Sequence, residues 1–173
     1  MKKKSSDYLS KAILIALILI VVDLIGGFGH LRFEKWFSWT STLIMGVALV
    51  IVSINYGKQQ NHQVTYGQVF GYAFKVALVI SAIVALYSLL SNYVIFPEFR
   101  DQLLEKTRAD LEAKGGMSED QIDTAMTMTK KFIQPVPIAI FAFLGTLFFG
   151  TISALIGAAV TKKNPPDIFQ NNP

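Results

Sequence analysis

The stretch PEFRDQLLEKTRADLEAKGGMSEDQIDTAMTMTKKFIQ, residues 97–134, is polar, and apolar runs long enough to cross a bilayer flank it on both sides. It carries six basic residues (Arg100, Lys106, Arg108, Lys114, Lys130 and Lys131) and eight acidic ones. Phe99, Leu103, Leu104 and Leu111 recur at helical spacing with charges between them, and Pro97 suits a helix start. Gly115-Gly116 then stops the helix and turns the chain. Ser118, with Gln121 three residues on, is a capping box, and Glu119 and Asp120 favour the positive end of a second helix. Ile122, Ala125, Met126, Thr129, Phe132 and Ile133 make one stripe along it. These signals predict an amphipathic helical hairpin over 97–134, whose stripes pack on each other. A methionine-bearing stripe also suits a partner groove.

Outward from this element, four apolar runs are of membrane-span length: about 12–28, 36–56, 69–93 and 136–160. The fold class expected is therefore all-α, an integral membrane bundle of four transmembrane helices. The extramembrane amphipathic hairpin falls between the third and fourth spans. Residues 1–173 read as one membrane domain, with 164–173 as a mobile tail marked by Pro165-Pro166. Charged residues make up 16% of the chain against about 25% in soluble domains, and they are segregated between the spans. The net charge of +4 is accounted for by anchoring of membrane spans rather than by nucleic acid. With no cysteine there is no disulfide, thiolate metal site or cysteine nucleophile.

Lys2, Lys3, Lys4 and Lys11 precede the first run. A basic start before an apolar core also describes a signal peptide, but a small-x-small cleavage pattern is missing and three spans follow. The run reads as a retained transmembrane helix. Asp23 lies inside it, roughly 16 Å from Ala12 along the axis. A carboxylate at mid-bilayer costs on the order of 3 kcal/mol, so it is expected to face the bundle interior or be protonated, as a proton or cation relay or a bond that registers helices. Alternatively the span shifts and leaves Asp23 at the outer interface beside Gly26, Gly27 and Gly29.

Trp36, Phe37 and Trp39 form an aromatic belt where the second span enters, and Tyr56 marks its exit. His30 and His62 are isolated, and two unmatched histidines do not make a metal site. At the start of the third span, Gly67 and Gly71 are four apart and predict close helix approach. Lys75 continues that face one turn deeper, where it snorkels to the interface or meets an acid such as Asp23. In the fourth span Gly150, Ala154 and Ala158 are spaced by four, a packing face within the bundle or between protomers.

Four spans put both termini on one side. With the termini in the cytoplasm, eight basic residues lie inside (Lys2, Lys3, Lys4, Lys11, Lys58, Lys75, Lys162, Lys163). Eight also lie outside: Arg32, Lys35 and the six of residues 97–134. The first helix decides the tie, because four lysines precede it and only Arg32 and Lys35 follow. The hairpin is thus expected outside.

The order of these landmarks resembles the DUF4199 family of small bacterial membrane proteins over nearly the whole chain. The likeness is carried by Tyr66-Gly67 to Phe70-Gly71, Phe96-Pro97-Glu98-Phe99, Gly116-Met117-Ser118-Glu119 and Lys162-Lys163. It implies a four-helix protein of the bacterial inner membrane with unknown function, and it transfers no catalytic, cofactor-binding or metal residue. It also hints at lipid-linked glycan enzymes, beside whose genes relatives are often encoded. The function expected is a non-enzymatic membrane scaffold or accessory protein, its hairpin a docking surface. The alternatives are a small oligomeric transporter or channel using Asp23, or an accessory subunit of a lipid-linked glycan enzyme. The expected partners are the lipid bilayer and a membrane protein or second copy, with no cofactor and no nucleic acid.

Overall fold

The structure, a computed structural model, describes residues 5–164. Lys2, Lys3 and Lys4 of the basic arm, and the expected tail beyond Asn164, lie outside the described residues. Among the described residues the chain forms six α-helices and no strand. They are α1 (Ser5–Phe28), α2 (Lys35–Gln59), α3 (Tyr66–Leu90), α4 (Phe99–Lys114), α5 (Glu119–Phe132) and α6 (Pro135–Val160). A π-helical turn, Ser91–Ile95, extends α3. Four helices, α1, α2, α3 and α6, are long and apolar enough to cross a membrane. The shortest of these spans has 22 residues, about 33 Å at 1.5 Å per residue, against a hydrocarbon core of about 30 Å.

The chain divides into two compact units. One is Val84–Phe143, and the other takes the residues before and after it. In that outer unit the core mixes alanines with a few large side chains such as Leu49, Ile80, Val69 and Val76, while many large apolar side chains face outward. Ala12, Ala16, Ala73, Ala77, Ala154 and Ala158 are fully buried, while Leu14, Leu17, Leu43, Val47 and Phe148 are exposed. Close backbone approach is what holds helices together where the surroundings are as apolar as leucine. A Cβ built on Gly150 of α6 would stand 2.9 Å from the Ala77 Cβ of α3. One built on Gly157 would collide with Ser53 of α2, and one on Gly26 with the Phe37 ring. Ser53 and Ser81, both buried, donate to the carbonyls of Leu49 and Ala77 one turn back, so neither hydroxyl is left unpaired.

α1 begins ahead of its apolar run, because Asp7 and Lys11 form an i,i+4 ion pair and Asp7 sits in the positive first turn. The α1–α2 connector is tight: Leu31 donates to the Gly26 carbonyl at 2.8 Å, and His30 takes the left-handed region at φ 55°.

In Val84–Phe143, the π-helical turn closes with Phe96 N–H donating to the Ser91 carbonyl at 2.7 Å. Phe96 precedes Pro97 and leaves the helical region at φ −135°, ψ 62°, so α4 starts at Phe99 rather than at the proline. Gly115 and Gly116 take φ of 65° and 82°, a left-handed turn that glycine adopts freely. Both halves of the capping box form: Ser118 Oγ accepts from Gln121 N–H at 3.4 Å, and Gln121 Oε1 accepts from Ser118 N–H at 2.9 Å. Arg108 of α4 reaches Glu112 of its own helix and Asp123 of α5, each at 2.9 Å. Glu112 first, and Asp123 with it, push the guanidinium pKa further up.

Candidate functional site

The polar side chains of the outer unit gather at the two ends of its helices. At one end α1 and α3 begin while α2 and α6 finish. Asp7 Oδ2 accepts there from Lys11 Nζ and from the Tyr72 hydroxyl, both at 2.8 Å. Lys11 Nζ also lies 3.1 Å from the Tyr72 oxygen, and the Tyr72 ring stacks on Tyr56 at 4.2 Å. Three helices thus share one half-buried network, closed by charge-assisted hydrogen bonds.

The same end is tied a second time through the α2–α3 loop. Asn61 and His62 adopt positive φ, which turns the His62 carbonyl onto Asn164 N–H at 2.7 Å. His62 Nδ1 lies 3.0 Å from the Lys162 carbonyl, and Tyr66 donates to the Leu155 carbonyl at 3.2 Å. Lys163 stands 5.7 Å from the centre of the Tyr66 ring, within cation–π range. Thr65 and Gln68 cap α3 reciprocally.

At the far end of α1, Asp23 pairs with Arg32 of the connector at 2.5 Å. α1 begins at Ser5 and ends at Phe28, so Asp23 lies about 7.5 Å from its end rather than at its middle. Lys75 is exposed on α3 one turn beyond Tyr72. Asp23 lies about 18 Å beyond Lys11 along α1, which sets the two charges roughly 13 Å apart in height. The Lys75–Asp23 contact weighed from sequence does not form, and Arg32 takes that place.

The small residues divide. Gly150 meets Ala77, and Ala154 and Ala158 are fully buried, so this face packs inside the chain. A Cβ added at Gly67 or Gly71 would meet nothing within 4 Å, so no helix of the same chain approaches them closely. A spacing of four identifies a helix face but not its neighbour. Sequence reasoning missed Asp7, Tyr72, Gly157 and the His62 tie. Tyr72 lies 65 residues from Asp7 and Lys162 lies 100 from His62, and no local pattern joins either pair.

Chemically, these arrangements are clasps: each carboxylate is matched by a cation and faces its partner. Among the described residues no group of three or more His, Cys, Asp or Glu is placed to hold a metal ion.

No curated protein and no solved structure matches the chain. The family described as a protein of unknown function, DUF4199, matches residues 10–163. That match takes in α1 from Ser10 onward, the other three membrane-length helices and the two between α3 and α6, and the chain belongs to the DUF4199 family.

Proposed function

We propose that this chain is a non-enzymatic integral membrane scaffold or accessory protein of the bacterial inner membrane. In this reading both termini are cytoplasmic, and α4 with α5 forms an extramembrane hairpin on the outer side that docks a membrane protein partner. The observation that carries it is how little the hairpin buries. α4 has no fully buried residue and α5 has only Ile122 and Met126, so most of their surface is left for another molecule. The pairing of Asp7 with Lys11 and Tyr72, and of Asp23 with Arg32, adds support. Catalysis and transport need polar groups that converge on a substrate path, whereas these are spent on joining elements.

The test is purification in mild detergent, followed by identification of stoichiometric partners. Thr124→Arg with Thr127→Arg, on the exposed face of α5, should release the partner while the helical content and elution volume of the protein stay unchanged. Retention of the partner by that variant would remove the hairpin from the interface. A catalytic turnover or ion flux by the purified chain alone would overturn the scaffold reading.

A further inference from the structure

The apolar surface of α6 does not stop where α6 begins. Val136, Ile140 and Phe141 are 52%, 53% and 57% exposed, the surface that a membrane-crossing α6 gives to lipid. One helix earlier, Met128 and Phe132 are 64% and 59% exposed, one turn apart on α5. The Phe132 ring lies 6.5 Å from the Phe141 ring. Phe141 is six residues into α6, about 9 Å along its axis. The contact therefore brings the last turn of α5 beside the opening turns of α6 rather than above them. α5 turns Ile122 and Met126 inward, so Met128 stays on the outside, and Phe132 remains 59% exposed even with its ring beside Phe141.

Charge follows the same axis. Lys130 and Lys131 stand in the last turn of α5, while Glu119 and Asp120 stand in its first. The junction is fixed: Gln134 Nε2 donates to the Lys130 carbonyl at 3.0 Å, and Gln134 Oε1 lies 3.3 Å from Arg100 Nη1. At 3.6 residues per turn Lys131 flanks Met128 on the helix surface, whereas Lys130 falls on the opposite face. A helix end with large apolar residues on one side and a lysine beside them matches an element lying in the headgroup layer.

We infer that the last two turns of α5 rest on the bilayer. Phe132 and Met128 enter its interfacial layer, and Lys131 binds the phosphates of anionic phospholipids. The inference depends on the reading of α6 as a membrane span and not on any protein partner. Continuity with the lipid face of α6 selects the bilayer as occupant, and Lys131 selects an anionic surface.

The chain has no cysteine, so Met128→Cys and Gly116→Cys can each carry a single environment-sensitive fluorophore. The full chain is placed in nanodiscs of phosphatidylcholine, with or without phosphatidylglycerol. The label at position 128 should be shielded severalfold from iodide and quenched by headgroup-region nitroxide lipids, and the label at 116 should not. Lys131→Gln should lower the preference for retained phosphatidylglycerol in native mass spectrometry by about fivefold, the effect of one lysine near an anionic surface. Equal iodide access at 128 and 116 would overturn the lipid assignment and leave the strip to a protein. An unchanged lipid preference would overturn the phosphate contact. The nanodiscs hold no second protein, so either failure leaves the co-purification result standing.

Discussion

Asp7 and Asp23 stand toward opposite ends of α1, and each is met by a cation close in sequence, Lys11 or Arg32. Both carboxylates are partly exposed, so each pair is worth about 1 kcal/mol or less after solvent screening. Asp23→Asn keeps an acceptor for Arg32 and should lower the melting temperature in detergent by no more than about 2–4 °C. Reconstituted vesicles should show no proton or cation flux with either form. A pH-dependent flux of the unmodified chain that Asp23→Asn abolishes would make transport the primary reading. The glycines call for a different sum. Gly157→Ala drives a Cβ into Ser53, and overpacking of about 1–3 kcal/mol exceeds the roughly 1 kcal/mol that alanine adds to a helix. Gly67→Ala meets open space and keeps only the gain. Thermal unfolding should therefore fall for the first and hold or rise for the second. The same shift in both would detach the small face of α6 from α2.

At the scale of elements, local codes decided what could be read in advance. The capping box Ser118–Gln121 and the left-handed glycines span a few residues, so the start of α5 is written in adjacent letters. Ser118→Ala should cost about 1 kcal/mol and speed amide exchange in the first turn of α5 by about fivefold, with α4 unaffected. Unchanged exchange would mean the helix start is held by something other than its cap. The beginning of α1 was not legible, because hydropathy reports where lipid must be met and not where a helix starts. Residues 5–11 are helical through Asp7, Lys11 and a tyrosine on α3. The π-helical turn at Ser91–Ile95 was equally hidden. It is a change in hydrogen-bond register ahead of Pro97, and composition does not encode register. Gly67 and Gly71 face no other helix of the chain closely: periodicity shows that a stripe exists, but not what it faces.

At the scale of the whole molecule, orientation is the open variable that experiment decides most directly. With cytoplasmic termini, a cysteine placed at Gly116 should react with an impermeant thiol reagent on intact cells, the outer membrane being permeabilised where there is one. A cysteine at Asn61 should stay protected, and the reverse pattern would invert the proposed topology. The close fit of α6 against α2 and α3 also has a bearing on biosynthesis. Ser53 and Ala77 belong to helices made early, whereas Gly157 and Gly150, which they contact, belong to the last helix described. Until α6 leaves the ribosome and enters the bilayer, lipid must fill the slot it will occupy, and the His62 tie has nothing to hold. A ribosome that stalls within α4 or α5 would release three spans whose seam against Ser53 and Ala77 is still unfilled.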